Sequence, residues 1–293
     1  MKTLKEQISE IINSKMSRRM KDEALIKIGL RKEDVSRVWF AERMRRLHPE
    51  FDIDGLTFGV EIECYNAPVR PLINAVTSRG VGIDYAGYDH RDRTDSFKLV
   101  TDSSIHGDQP IECVSPILKG NKGEAQLEKV CDALHSIGAR VNISCGLHIH
   151  FAASKLTDEH YVNIFKNYQK VEQVIDMFMP VSRRGNNSQW CGSLRSYDFS
   201  TCMTKRDVNR TLSFNRYHKV NADAYTRHQT IEFRQHSGTT DYSKIIMWVK
   251  FLRDLIKFSA KNVIENDVTT IEALPFGNTE MKTYIANRAA QLN

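Results

Sequence analysis

Three short segments of this sequence each place two chemically active side chains two residues apart. Glu61 and Glu63 in FGVEIEC, His148 and His150 in GLHIHF, and Glu232 and Arg234 in TIEFR share that spacing. In a β-strand successive side chains point to opposite faces, so each pair projects from one face of one strand. The residues between them (Val60 and Ile62, Leu147 and Ile149, Ile231 and Phe233) are apolar and define an opposite, core-facing side. Glu112, in IECVSPI, adds a fourth strand acid. Adjacent carboxylates repel, and each pKa rises unless a cation intervenes. Two imidazoles on one strand face converge their ring nitrogens on one point, a common metal geometry. Each pair also has a plain reading: a solvent-facing edge strand for the glutamates, a salt bridge for Glu232 and Arg234.

The combination says more than any pair. An ordinary solvated sheet face carries Lys, Thr, Ser and Gln, whereas this one concentrates carboxylates and imidazoles. Carboxylate-rich sites with few imidazoles suit Mg²⁺ or Mn²⁺, and arginine beside such cations suits phosphate. Gly59, on the same face as Glu61, leaves room for a ligand.

The elements that must position these residues follow from periodicity. Strands are expected at 56–64, 96–102, 110–117, 139–151 (loosened at Gly146), 216–221 and 229–236, the second and third joined by a turn around Gly107. Helices are expected near 72–78 and over 124–137, 157–178, 241–258 and 280–290, with Gly138 and Pro180 as stops. Residues 65–95 read as a long loop, and 182–200 as a polar loop whose Arg183, Arg184, Asn186 and Trp190 make it a candidate lid or a plain surface loop. Asp102, in TDSSI, is either a turn cap or a ligand to metal or amine. Strands linked by long excursions with helices against them define an α+β fold.

Composition narrows the class. Of 293 residues, 41% are hydrophobic and 27% charged, as in ordinary globular chains. No run of about 18 apolar residues exists, and the N-terminus carries charges where a signal peptide needs an apolar stretch. The expected location is the cytoplasm, and six cysteines without any CxxC pair read as buried, reduced thiols. The net charge of +6 is uneven: residues 1–50 hold 13 Lys and Arg against 8 Asp and Glu. Those residues form a basic arm with apolar positions at helical spacing (Leu4, Ile8, Ile11, Ile12; Leu25, Ile28; Val35, Val38, Trp39). The arm packs on the body or a partner, or contacts DNA, since the stretch around Gly29 loosely resembles a helix-turn-helix.

Taken in order, FGVEIEC, DSSI, IECVSPIL, GLHIHF and TIEFRQHSGT resemble the amidoligase family, within the carboxylate–amine ligase superfamily of glutamine synthetase and glutamate–cysteine ligase. The resemblance covers roughly residues 56–258 and implies a glutamine-synthetase-like, largely antiparallel curved sheet with flanking helices. It divides the chain into the basic helical arm, 1–50, and a catalytic domain, 55–293. It further implies that Glu61, Glu63, Glu112, His148 and Glu232 ligate two Mg²⁺ or Mn²⁺ ions. His150 then lies near the nucleotide, Arg234 steadies the transferring phosphoryl group of ATP, and Arg216, in RYHKVN, contacts phosphate or substrate.

On that resemblance the expected reaction is ATP-dependent amide formation from a carboxylate and an amine through an acyl phosphate. The substrates stay open among free amino acids, peptide or protein side chains and cell-wall fragments, as does assembly into a homo-oligomer. Two other functions fit the residues: a metal-dependent hydrolase, which needs a metal-bound water and no nucleotide, and a protein that binds nucleic acid or a partner through its basic arm.

Overall fold

Seven residues of strict alternation, FGVEIEC, make β1 (Phe58–Cys64), and every apolar residue of it is buried. A computed structural model describes residues 2, 4–32, 35, 39, 55–88 and 95–292. The chain divides into two compact units, Met1–Asp52 and Ile53–Asn293. In the second, β1 is the central strand of a seven-stranded open sheet, completed by β2 (Ile83–Gly87), β3 (Phe97–Val100), β4 (Ile111–Val114), β5 (Leu147–Ala152), β6 (Val220–Asn221) and β7 (Thr230–Phe233). The order is β2-β3-β4-β1-β5-β7-β6. Only β2 and β3 run parallel; every other neighbouring pair is antiparallel. The fold is α+β with a largely antiparallel sheet and flanking helices.

Register decides which residues share a face. Glu61 sits opposite His148, Glu63 opposite Glu112, Gly59 opposite His150, and His150 opposite Glu232. Directly opposed residues point the same way, so all six chemically active side chains share one face. The other face carries Phe58, Phe151 and Phe233 in a row of ring contacts at 6.3 and 6.1 Å.

Helices cover that apolar face. α3 (Val69–Thr77) and α4 (Gly120–Ser136) follow β1 and β4, and α5 (Asp158–Met177) follows β5. The Tyr168 ring of α5 lies 5.8 Å from Phe233. Thr157 caps α5 by accepting from the His160 amide, and Asp158 and Glu159 in its first turn complement the helix dipole. α8 (Tyr242–Ser259), capped by Asp241, packs on α5, where His160 Nε2 lies 2.8 Å from the Ile256 carbonyl oxygen. α6 (Lys205–Thr211) and α7 (Ala224–His228) are short connectors, and α9 (Thr279–Leu292) closes the described chain. All six cysteines are free and buried. Among the described residues no helix is long and apolar enough to cross a membrane.

The first unit holds α1 (Leu4–Asn13) and α2 (Arg18–Lys27), packed around Ile12, Leu25 and Val35. The Arg18 guanidinium lies 3.6 Å above the Trp39 ring. The second helix that a helix-turn-helix needs falls on residues outside those described, apart from Val35 and Trp39.

Several expected boundaries are corrected. The 139–151 segment is a strand only from Leu147, because Arg140 bridges instead to Tyr65 and Gly146 to Ser237. The 216–221 segment is a strand only at Val220–Asn221, because Tyr217 and Lys219 pair with Gly192 in the 182–200 loop. The loop expected at 65–95 contains β2, an edge strand in which only Ile83 is buried, so it shows no alternation.

His236, just past β7, is buried 5.8 Å from the Trp248 ring. Burial holds its pKa down at about 4, against 6.5 for the free side chain. Between those values the unfolded chain binds a proton that the folded chain refuses, so stability falls as pH drops from 6.5 toward 4. The slope is about 1.4 kcal/mol per pH unit. Chemical unfolding of wild type and His236→Gln across this window should show the variant losing that share of the slope; parallel curves would show His236 is not the cause.

Candidate active site

His148 is the hub of the charged face. From the second position of β5 its Nδ1 lies 2.9 Å from Glu61 Oε2 and 3.7 Å from Glu232 Oε1, and its Nε2 lies 3.7 Å from Glu63 Oε1. β1 and β7 flank β5, so carboxylates reach the imidazole from both sides. Two groups of three have ligand atoms all within 4.8 Å of one another: Glu61, His148 and Glu232, and Glu63, Glu112 and His148. They share His148.

Close backbone contacts fix the ring and the carboxylates. Gly146 donates its amide to Glu63 Oε2 at 2.5 Å. A Cβ at Gly146 would sit 2.8 Å from His148 Nε2, so a larger residue there would have to displace the His148 ring. At Gly59 a Cβ would meet its nearest neighbour at an ordinary 3.7 Å, so glycine there keeps the cleft open without being sterically required. On the far side Asn221 Nδ2 donates to Glu232 Oε2 at 2.6 Å, and Arg234 pairs with Glu232 Oε1. His150 Nδ1 lies 2.9 Å from Thr230 Oγ1; its Nε2, 3.2 Å from Glu61 Oε1, is buried without an aligned hydrogen bond.

The electrostatics follow from this crowding. Burial pushes the Glu61 carboxyl up, but the nearby His150 charge and the hydrogen bond with His148 outweigh it and hold the group well below the usual range. Glu232 is likewise buried, yet Arg234, His150 and His148 bring it down to about 2. Glu112 has no such partners. Burial, then repulsion from Glu61 and Glu63, pushes it well above the usual range. Burial depresses His150, but Glu61 and Glu232 prevail and raise it.

These side chains form the floor of a cleft of about 840 Å³. Glu61, Glu63, Glu112, His148, His150, Arg216 and Arg234 line it, while Glu232 is buried just beneath. Arg216 is exposed, its guanidinium 5.8 Å above the Tyr217 ring. Asp102 lines the cleft and also caps its turn, accepting from the Ser104 amide at 2.7 Å. Arg234 thus both pairs with Glu232, as the salt-bridge reading expected, and lines the cleft. Four carboxylates and one shared imidazole form an oxygen-rich donor set that fits a hard divalent cation. The raised Glu112 and the unaligned His150 nitrogen are groups that a cation and a ligand would relieve.

The 182–200 loop is pinned rather than loose. Lys219, fully buried, pairs with Glu172 at 2.9 Å and Asp176 at 2.6 Å. Glu172 also accepts from Ser193 Oγ and the Leu194 amide, and Asp176 accepts from the Gly185 amide. Trp190, at the cleft mouth, packs edge-on against Tyr217 at 5.1 Å. Lys98 and Thr101, which line the cleft, and Asn221, bonded to Glu232, are site residues beyond those expected from the sequence. Lys98 and Asn221 could have been: in FKLV and KVN each shares the period-2 signal that exposed the other site residues. Thr101 carried no such signal, since it lies just beyond β3.

A family profile described as "Putative amidoligase enzyme" matches residues 54–256. No curated protein matches. Among solved structures, the chain is similar to a bifunctional glutathione synthetase from Pasteurella multocida, with a TM-score of 0.43 and 12% identity over 85% of this chain and 42% of that one. It is also similar to a novel glutamine synthase homolog, with a TM-score of 0.38 and 11% identity over 86% of this chain and 66% of that one. The chain therefore spans less than two thirds of the length of either, and likeness this distant settles neither substrate nor reaction.

The raised Glu112 carboxyl gives a direct test. As pH climbs through the carboxylate range, the unfolded chain releases this proton before the folded chain does, so the folded state is progressively penalised. Glu112→Gln should raise the melting temperature of the metal-free protein by a few degrees at about pH 8, and should weaken Mn²⁺ binding read by calorimetry. An unchanged or lowered melting temperature would refute the repulsion.

Proposed function

Because the chain belongs to the amidoligase family, we propose that it is an ATP- and Mg²⁺- (or Mn²⁺-) dependent ligase that joins a carboxylate to an amine. The observation that carries this reading is the pair of three-residue groups sharing His148, with Arg234 fastened to one of them.

A carboxylate is a poor electrophile, and an amine does not displace oxide from it. Phosphorylation by ATP converts that oxygen into a leaving group, giving an acyl phosphate that the amine attacks. The charge at the transferring phosphoryl group is the chief obstacle, and divalent cations with a guanidinium are the usual means of offsetting it.

In this reading Glu61 and Glu232 would hold one cation and Glu63 and Glu112 a second, with His148 giving its one free ring nitrogen to either of them. Arg234 is oriented for its role by Glu232, which fixes the guanidinium at the cleft floor. Asn221 and the Gly146 amide keep Glu232 and Glu63 turned toward the cluster. His150 and Arg216, both lining the cleft, are placed to meet the nucleotide or the substrate. The walls of the cleft and the pinned Trp190 segment limit water, which would otherwise hydrolyse the acyl phosphate. Arginine next to the metal ligands favours phosphoryl chemistry over a plain metal-dependent hydrolase.

Purified protein with Mg²⁺ and ATP, screened against pairs of amines and carboxylates, should release ADP only when both substrates are present. Glu61→Ala, Glu232→Ala and Arg234→Ala should each lower kcat by about 100-fold or more while circular dichroism stays unchanged. Turnover of an amide without ATP would support the hydrolase instead.

A further inference from the structure

Ser213 and Phe214 break a local rule that the rest of the described chain keeps. Both sit in the left-handed region, at φ 56° and 54°, where a side chain is strained and glycine is the usual residue. They follow α6 directly, at the place where a glycine commonly closes a helix. Among the described residues no other two consecutive non-glycine residues are left-handed. The strain is held in place. The Ser213 amide donates to the Arg210 carbonyl oxygen at 2.8 Å, and the Phe214 amide to that of Asn209 at 2.9 Å. Buried His218 has its Nδ1 2.9 Å from the Asn215 carbonyl oxygen and its Nε2 2.9 Å from the Tyr197 hydroxyl. Yet all five residues from Ser213 to Tyr217 are exposed, Phe214 at 56%. A turn that served the fold alone would use glycine or bury its phenylalanine. This one is fixed rigidly with a large apolar side chain in solvent, which is the mark of a contact surface.

Its neighbours say what it would contact. Tyr217 packs edge-on against Trp190 at 5.1 Å, and both line the cleft, whereas Phe214 stands outside it. The aromatic stretch therefore starts in the cleft and continues beyond it, farther than a small molecule held at the floor would reach. Exposed Trp, Tyr and Phe beside arginines are the side chains that dominate protein interfaces. α6 supplies the arginines: Arg206 and Arg210 are exposed and one helical turn apart. From Lys205 to Tyr217 the chain holds four Lys and Arg against one acid, Asp207, which is engaged in the capping box of α6. The complement of this surface is acidic. Aromatics with arginines also suit single-stranded nucleic acid, but the cleft they lead into is read as joining a carboxylate to an amine. A polypeptide carries both groups, and nucleic acid carries neither a carboxylate nor an aliphatic amine.

We propose that the 213–217 turn, Trp190 and the Arg206–Arg210 face of α6 form a docking surface for an acidic polypeptide segment with aromatic side chains, which runs from this surface into the cleft. The docked chain would carry one of the two groups to be joined, and that clause alone rests on the ligase reading.

The test is fluorescence anisotropy on the full chain with Mg²⁺. The probe is a labelled copolymer of glutamate and tyrosine, compared with polyglutamate, polylysine and oligouridylate. The copolymer should bind tighter than either homopolymer and about tenfold tighter than oligouridylate, and its affinity should fall as salt rises. Phe214→Gly relieves the left-handed strain, so its melting temperature should hold or rise while copolymer affinity drops about tenfold. Arg206→Gln combined with Arg210→Gln should weaken the copolymer several-fold and flatten its salt dependence. Calorimetric Mn²⁺ binding should stay at the wild-type value in both variants, a result that loss of fold would not give. Absence of copolymer binding in wild type, or binding that both variants leave unchanged, overturns the proposal. Tighter binding of oligouridylate than of the copolymer overturns it too and assigns the surface to single-stranded nucleic acid. ADP release from small amine and carboxylate pairs, measured on the same preparations, separates the two ideas. Copolymer binding without ADP release sinks the ligase reading alone, and ADP release without copolymer binding sinks the docking surface alone.

Discussion

The second unit is organised around one electrostatic constraint: Glu61, Glu63, Glu112 and Glu232 converge on a single imidazole from strands that the sheet holds side by side. Left to themselves, four crowded carboxylates, three of them buried, would drive one another to protonate or push the strands apart. The chain offsets the charge unequally. Glu61 and Glu232 are held ionised by two imidazoles and Arg234, whereas Glu112 is held toward its protonated form. A face built this way is unstable in charge but settled in geometry, which is the condition for capturing divalent cations without rearranging the protein.

Geometry is settled because the charges sit on strands and not on loops. The opposite face of the same strands is aromatic and aliphatic core under α5 and α8, so a side chain on the charged face cannot turn without disturbing Phe58, Phe151 or Phe233 beneath it. The cleft mouth is fixed by a second buried charge system. Lys219, Glu172 and Asp176 tie β6, α5 and the segment from Gly185 to Leu194 together, and the Arg234 amide donates to the Lys219 carbonyl oxygen at 2.8 Å. The arginine at the cleft floor and the segment that carries the tryptophan are thus both hydrogen-bonded to the backbone of this internal lysine.

Much of this was legible in the sequence, and the reason is periodicity. Period 2 assigned Glu61, Glu63, His148, His150 and Glu232 to one face, and the structure brings all five together with Glu112. What periodicity could not supply was the pairing of strands: that Glu63 faces Glu112, and that Asn221 lies beside Glu232, are consequences of register. Edge strand β2 stayed hidden because it is half exposed, and the loop that carries Arg183 read as either a candidate lid or a plain surface loop because its anchors, Glu172 and Lys219, lie outside it in sequence. A buried lysine is invisible in a linear reading, since lysine is ordinarily a surface residue. Residues 33–54, apart from Val35 and Trp39, lie outside those the structure describes, and the basic arm's role as a nucleic-acid or partner contact stands as a proposal.

Activation of the carboxylate by phosphorylation is what separates a ligase from a hydrolase on this face. The most direct measurement is oxygen transfer: a carboxylate substrate labelled with oxygen-18, turned over with ATP and amine, followed by phosphorus NMR of the released phosphate. An acyl phosphate predicts one labelled oxygen in the phosphate for each amide bond formed. Phosphate released without label, while the amide is made or broken, would contradict it.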